Sequence, residues 1–409
     1  MKTIKFIHAA DLHLGSVFSG FQHIPEYLYR HLKESGYRAL KKLIDTAIEE
    51  KVDFVILAGD IYDLEDRNLK AQLRFRKEME RLNQHHIHVY VIHGNHDYLE
   101  GYYYELHLPP NVHVFGRQVE VKLYEKMDGT KVNLYGFSYG SRHIHERVIN
   151  DYHKQGDADY HIGLLHGNLD GEHAHGNYAP FSKSELLNKQ FDYWALGHIH
   201  KRMVLFEEPP AIYPGCLQGR NKKETGEKGF YLVSIENMST NLDFIPAADT
   251  EWRTETIELD KLGLTDLEVL IKEIQKRQQQ IRQEDKSVLI ELVLDASQLK
   301  SFDKFTLVNI EDVIESIQEG EEDQEQFVWI HSVKWIPPRY SEAKYGLFGK
   351  FVDELIIKTG QLSQEEIYQW GESLLTHTAA RKYIDPWDEE TWSEIRDGAE
   401  LELLKNLEK

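Results

Sequence analysis

The sequence predicts an α/β layered fold. Its first 250 residues alternate short, nearly continuous apolar runs with amphipathic stretches, the pattern of buried strands packed between helices. Length adds a second constraint, since 409 residues exceed one ordinary core and suggest two or three domains. A third observation is a change of texture near residues 247–250, after the strand-like LDFIPA, beyond which the chain turns acidic and more helical.

KTIKFIHAA reads as the first strand, followed by a helix over residues 27–50 with Leu40, Leu43, Ile44, Ala47 and Ile48 at helical spacing. VDFVILAG is a second strand, residues 69–83 a second helix and HVYVIHG a third strand. VHVF, VEVKLY, KVNLYGFSY, YHIGLLHG, FDYWALGH, AIYP and GFYLVSI continue as strands, making a more β-rich second half. Past residue 250, ETIEL, SVLIELVLDA and QFVWIHSVKWI are separated by helices at 266–283 and 310–317, a small α/β unit. The run QEGEEDQEQ reads as a solvated loop. From Ser341 onward helices are expected at 347–359, 364–376 and 388–407, apolar on one face and acidic on the other.

No apolar run is long enough to span a bilayer, and the N-terminus lacks the features of a signal peptide, so a cytoplasmic protein with no membrane partner is expected. The single cysteine, Cys216, excludes an intramolecular disulfide framework and a thiolate cluster, and is expected to be a partly buried small residue. Any metal would be held by nitrogen and oxygen. The net charge of −21 is uneven: residues 251–409 carry −16 and residues 1–250 only −5. Twenty of the 22 histidines precede residue 251. A nearly balanced, histidine-rich N-terminal part can still accept a phosphodiester once cations are bound.

Five short segments carry the chemistry: Asp11-Leu-His13, Gly59-Asp60-Ile-Tyr-Asp63, Gly94-Asn95-His96-Asp97, Leu165-His166-Gly167 and Gly197-His198-Ile-His200. Each follows a predicted strand, and in an α/β sheet the loops leaving the strands' carboxyl ends converge on one rim. Asp-x-His and His-x-His would place two side chains on one side of an extended segment. A carboxylate such as Asp60 can bridge two divalent ions. The glycines before Asp60, Asn95 and His198 allow tight turns and close packing. Any one motif alone has a structural explanation; all five in order point to a dinuclear site.

These residues resemble the calcineurin-like metallophosphoesterase superfamily over roughly residues 1–235, and within it the SbcD-type double-strand-break repair exonucleases, in their YhaO-like branch. The resemblance implies a four-layer sandwich, two mixed sheets flanked by helices, as a nuclease domain over residues 1–250. It further implies a small α/β capping domain at 251–340 and a helical C-terminal region at 341–409 that docks on a partner. One metal would be held by Asp11, His13, Asp60 and His200, the other by Asp60, Asn95, His166 and His198. Mn²⁺ suits that donor set first, with Fe²⁺, Zn²⁺ and Mg²⁺ also compatible.

His96 would protonate the leaving oxygen, oriented by Asp63, with Asp97 in a supporting or turn-stabilising place. Arg220 is read as a surface ion pair or a phosphate contact. The implied reaction is hydrolysis of DNA through two-metal activation of a bridging hydroxide. The implied partners are DNA, an SbcC-like coiled-coil ATPase and a second copy of the chain. Two other readings stay open at this stage: a phosphatase or cyclic-nucleotide phosphodiesterase, and an accessory subunit that positions DNA.

Overall fold

A computed structural model describes residues 2–16, 18, 24–63, 69–100, 106–171, 178–236, 239–262, 267–284, 286–298, 310–336, 354, 357–359, 361–375, 392, 395–396 and 398–399. Its elements run β1 (Thr3–Ala9), α1 (Glu26–Glu49), β2 (Phe54–Ala58), α2 (Leu69–Gln84), β3 (His88–Ile92), β4 (Val112–Val114), β5 (Glu120–Glu125), β6 (Lys131–Gly136) and β7 (Tyr160–His166). Then come α3 (Lys183–Asn188), β8 (Tyr193–Gly197), β9 (Met203–Glu207), β10 (Pro210–Tyr213), β11 (Gly229–Glu236) and β12 (Ser239–Pro246). The remainder comprises β13 (Thr250–Glu258), α4 (Leu267–Arg282), β14 (Ser287–Asp295), α5 (Ile310–Gln318), β15 (Val328–Ile336) and α6 (Gln364–Leu375).

Two six-stranded sheets form the body of the first compact unit, in the orders β12-β11-β1-β2-β3-β4 and β5-β6-β7-β8-β10-β9. Both are mixed. In the first, β1 to β4 pair in parallel while β11 and β12 join antiparallel. In the second, β6, β7, β8 and β10 are parallel, with β5 and β9 antiparallel at the edges. β2, β7 and β8 are buried at every position, which is why they read as unbroken apolar runs.

Alternation along each strand builds the layers. Phe6, Phe54, Ile56, Tyr90, Leu134, Ile162 and Tyr193 fill the space between the sheets. The opposite residues, Ile7, Val55, Leu57 and Val89, pack beneath α1 and α2. The outer side of the second sheet is covered mainly by aromatic loops, including Tyr139, Tyr152 and Phe181, with one short helix, α3. That order of helices, sheet, sheet and a thinner outer layer is the four-layer α/β sandwich expected.

The third sheet has the order β13-β14-β15. The first compact unit comprises Met1–Thr254, Arg277–Glu291 and Gln318–Ser332, and the second Glu255–Lys276, Leu292–Ile317 and Val333–Lys409. Within the first unit, Trp252, Leu289 and Phe327 pack on Leu28 and Leu32 of α1. In the second, Leu259 and Ala296 donate backbone hydrogen bonds to Asp295 and Ile336.

The segment expected to be a solvated loop is partly interior. The carbonyl oxygen of the Gln318 side chain accepts from Ile330 N at 2.6 Å. Glu321, buried and on a 3-10 turn, accepts from Val328 N at 2.8 Å and pairs with Arg282 at 2.5 Å. Partnered acids tolerate burial that an unpaired charge run would resist. Two elements escape the sequence reading. β9 is a half-exposed edge strand with weak patterning. α3 is six residues long, although its capping box of Ser182 and Glu185 follows the S-x-x-E signal. The expected helix at 364–376 appears as α6, whereas most of 347–359 and 388–407 lies outside the described residues. Among the described residues no helix is long and apolar enough to cross a membrane.

Candidate metal centre

The five motif loops meet at the shared carboxyl rim of β1, β2 and β3 in one sheet and β7 and β8 in the other. The loops after β1 and β2 run side by side: Asp11, His13 and Leu14 donate backbone hydrogen bonds to Gly59, Asp60 and Ile61 at 2.9–3.0 Å. His198 N reaches across from the second sheet to both carboxylate oxygens of Asp11, each at 3.1 Å. His96 N donates to Asp60 Oδ1 at 2.9 Å.

This convergence does not use strand alternation. Asp11, His13, Asp60 and His198 all have positive φ, at 52°, 43°, 50° and 102°, and lie just past their strands. The expected same-side placement in an extended Asp-x-His is therefore replaced by left-handed turns, a strained conformation kept where surrounding bonds over-determine it. Space requires glycine at several motif positions, Gly94 and Gly197 among them. A Cβ on Gly94 would sit 2.3 Å from Asp60 Oδ1 and 2.6 Å from His166 Nε2, and one on Gly197 would sit 1.9 Å from Ala58 O.

The buried donor atoms form two overlapping groups. His13 Nε2 and His200 Nε2 are 3.2 Å apart, with Asp11 Oδ1 3.9 Å from the latter. Asp60 Oδ2 stands 3.7 Å from His13 Nε2 and 3.4 Å from His166 Nε2, placing it between the groups. Asn95 Oδ1 lies 3.1 Å from His166 Nε2 and 3.2 Å from His198 Nδ1. Asp11, His13 and His200, and again Asp11, Asp60 and His166, offer atoms all within 4.8 Å of one another. All seven residues expected to hold metal are thus brought together.

Outer partners orient the rings. His166 Nδ1 donates to Ala58 O at 3.0 Å and His200 Nδ1 to Glu224 Oε1 at 2.6 Å, leaving each Nε2 turned to the cluster. Burial, reinforced by Arg220, holds His13 well below the ordinary imidazole range, a neutral ring suited to ligation. Burial also pushes the Asp11 carboxyl up to about 6, against the pull of His200 and His166. Asp60 is held low despite burial, chiefly by His166. Carboxylates crowded in a dry pocket with imidazole nitrogens match a cation-binding centre, and N/O donors alone suit hard to borderline divalent ions.

His96 Nδ1 lies 3.0 Å from Asp63 Oδ1, its ring 5.0 Å from that of His13. Burial lowers the His96 pKa, but the Asp63 bond and the Asp60 charge outweigh it and the net shift is upward. Asp63 is drawn down to about 2, burial being overcome by His96, Arg220 and Ser16. Asp97 belongs to the loop framework: its carboxylate accepts from Ile61 N at 2.8 Å and Gly94 N at 2.7 Å, and meets His93 Nδ1 at 2.9 Å.

Arg220 is not a surface ion pair. Its guanidinium is largely enclosed, 3.2 Å from Asp63, 3.3 Å from Ser16 Oγ and 3.3 Å from Glu224. Cys216 is fully rather than partly buried, and burial pushes its thiol up, away from nucleophile chemistry. Glu224 escaped the sequence reading. Its only local signal is the i,i+4 spacing from Arg220, and its link to His200 exists only in the folded chain.

A fold of two mixed sheets whose parallel strands deliver Asp, His and Asn to one rim of candidate metal donors is that of a metallophosphoesterase. Residues 4–202 match the calcineurin-like phosphoesterase family. The chain is 37% identical over 406 residues to the uncharacterized metallophosphoesterase YhaO of Bacillus subtilis (strain 168), covering 99% of this chain and 98% of that protein. It belongs to the calcineurin-like metallophosphoesterase family. Solved structures also align: TT1561 of Thermus thermophilus, at 10% identity and a TM-score of 0.35, over 59% of this chain and 99% of that one. A dimetal phosphatase from Danio rerio gives 11% identity and a TM-score of 0.35, over 57% and 93%. Likeness at that level carries no weight for function.

Proposed function

We propose that this chain is a metal-dependent phosphodiesterase that hydrolyses DNA in the manner of the SbcD-type exonucleases. The observation that carries the reading is the His96–Asp63 pair beside the donor cluster, an imidazole 3.0 Å from a carboxylate that can orient it toward a leaving oxygen. Asp11, His13, Asp60 and His200 would hold one cation and Asp60, Asn95, His166 and His198 the other, with Mn²⁺ the first candidate. Such a pair, when bound, supplies positive charge for the phosphoryl oxygens and lowers the pKa of water.

The chain's own groups do the rest. Asp63 fixes the tautomer and direction of His96, so that Nε2 can give its proton to the departing sugar oxygen. Arg220 holds Asp63 and Glu224 together, coupling the acid pair to the His200 support. DNA as substrate draws support from the motif resemblance and from the chain beyond residue 254, which a small-molecule esterase has no evident need for. In this reading the region after residue 341 docks on an SbcC-like ATPase and two copies of the chain associate.

Purified protein supplied with Mn²⁺ should cleave linear DNA and a generic aryl phosphodiester, and leave an aryl phosphomonoester intact. Turnover confined to the monoester would overturn the diesterase reading in favour of a phosphatase. Turnover confined to cyclic nucleotides would replace DNA as the substrate.

A further inference from the structure

One loop, between β10 and β11, supports two parts of the centre at once. Cys216 N and the Lys228 ammonium both donate to His200 O, each at 3.2 Å. Glu224 Oε1 accepts from His200 Nδ1 at 2.6 Å, while Arg220 donates at 3.2 Å to Asp63, the carboxylate that pairs with His96. Arg220 and Glu224 are also bound to each other, since Arg220 N donates to Glu224 Oε2 at 2.6 Å. A shift of this loop would be felt by a proposed metal ligand and by the acid pair together.

A buried amide fixes the loop. Gln218 is only 2% exposed. Its Oε1 accepts from Asp249 N at 2.9 Å and Thr250 N at 3.4 Å, and its Nε2 donates to Thr250 O at 2.6 Å and Gly219 O at 3.0 Å. Two N–H groups face one end of the side chain and two carbonyls the other, a demand met by a carboxamide and by neither a carboxylate nor an apolar side chain. Gly219 O takes a second bond from Trp252 Nε1 at 3.2 Å, and Gly226 N donates to Trp252 O at 3.0 Å. Both ends of the stretch carrying Arg220 and Glu224 are thus pinned to the start of β13. The close approach needs glycine at 219, where a Cβ would meet Glu224 O at 2.7 Å and Trp252 Cδ1 at 3.2 Å. Asp249 is held in turn by Arg38 and His31 of α1.

We propose that Gln218 is a positioning residue for the metal centre: by tying Gly219 to β13 it sets where Glu224 meets His200 and where Arg220 meets Asp63. The inference rests on the two-cation reading and on His96 as the acid, and holds equally for a phosphodiester or a phosphomonoester substrate. Gln218 acts only through Glu224 and Arg220. The group behind a histidine ligand tunes metal affinity, and the placement of an acid within about 1 Å sets turnover.

Gln218→Met fills the same space and makes none of the four bonds. In a calorimetric titration it should weaken one of the two Mn²⁺ affinities about 10-fold, through Glu224 and His200. At saturating Mn²⁺ it should also lower kcat about 10- to 100-fold, with KM within about twofold, on whichever aryl phosphoester the wild type turns over fastest. The control is Asn111→Leu, which removes another buried amide, one that donates to Ile87 O at 2.8 Å at the amino end of β3, away from the rim. That variant should lower Tm and leave Mn²⁺ affinity and kcat unchanged. The control's pattern in Gln218→Met, a lower Tm with wild-type Mn²⁺ affinity and kcat, overturns the positioning role. Trp252→Phe carries the test if Gln218→Met does not fold: it takes one of the two donors from Gly219 O and should move both readings the same way by a smaller factor. A wild-type protein that takes up no Mn²⁺ overturns the metal reading itself, before any variant is compared.

Discussion

His96 and Glu224 act on opposite sides of the same cluster, and their replacements should separate. His96 pairs with Asp63 and lies outside the proposed ligand set, so His96→Ala is expected to retain metal while lowering turnover about 10²- to 10⁴-fold. Glu224→Gln keeps the size of the side chain but removes the charge that orients His200, and should weaken metal affinity about 10- to 100-fold. Metal analysis of both proteins beside their diesterase rates checks the pair. A His96 variant with full activity would sink its assignment as the acid. His96 and Asp63 are visible in the sequence because both lie inside motifs. Glu224 is not, and Arg220 stands out only as a surface ion pair or phosphate contact, because their partners across distant loops are made by packing.

At the scale of elements, α1 is tied to the start of β13 by a compact ionic cluster. Asp249 accepts from Arg38 Nε at 2.6 Å and meets His31 Nε2 at 2.7 Å. Burial raises the Asp249 pKa, but the His31 and Arg38 bonds prevail and hold it near 2. A carboxyl depressed in the folded state stabilises the fold above its unfolded pKa, about 3.9, and loses that contribution as pH falls through the folded value. Asp249→Asn should therefore cost about 2 kcal/mol near neutral pH, the gap from wild type narrowing between about pH 4 and 2. Denaturant melts across that range measure it, and a gap that widens on acidification would contradict the assignment. The strands and long helices of this region were legible because their apolar spacing is strong. α3 and β9 were not, being short or half-exposed, and the buried Glu321 was hidden by the acidic run around it.

For the whole molecule, the cluster sets a conflict between stability and function. Asp11 and Asp60 are almost wholly buried within one donor group, and four residues nearby hold left-handed backbone. Crowded carboxylates and strained turns oppose folding, and a bound cation offsets both. Removing metal with a chelator should lower Tm, and restoring Mn²⁺ should raise it in proportion to ln(1 + [M]/Kd). Calorimetry of the two forms checks this, and an unchanged Tm would mean the donors do not hold a cation. The sequence by itself determined the layered α/β class, the five motifs and their order along one rim. Local spacing encodes strands and helices, and the rim follows from parallel strands ending together. Only the tertiary structure decided how Asp11 and His13 turn inward, that Glu224 steers His200 and that Arg220 is enclosed. Most of those relations join residues separated by tens to about two hundred positions, where no local pattern carries the signal.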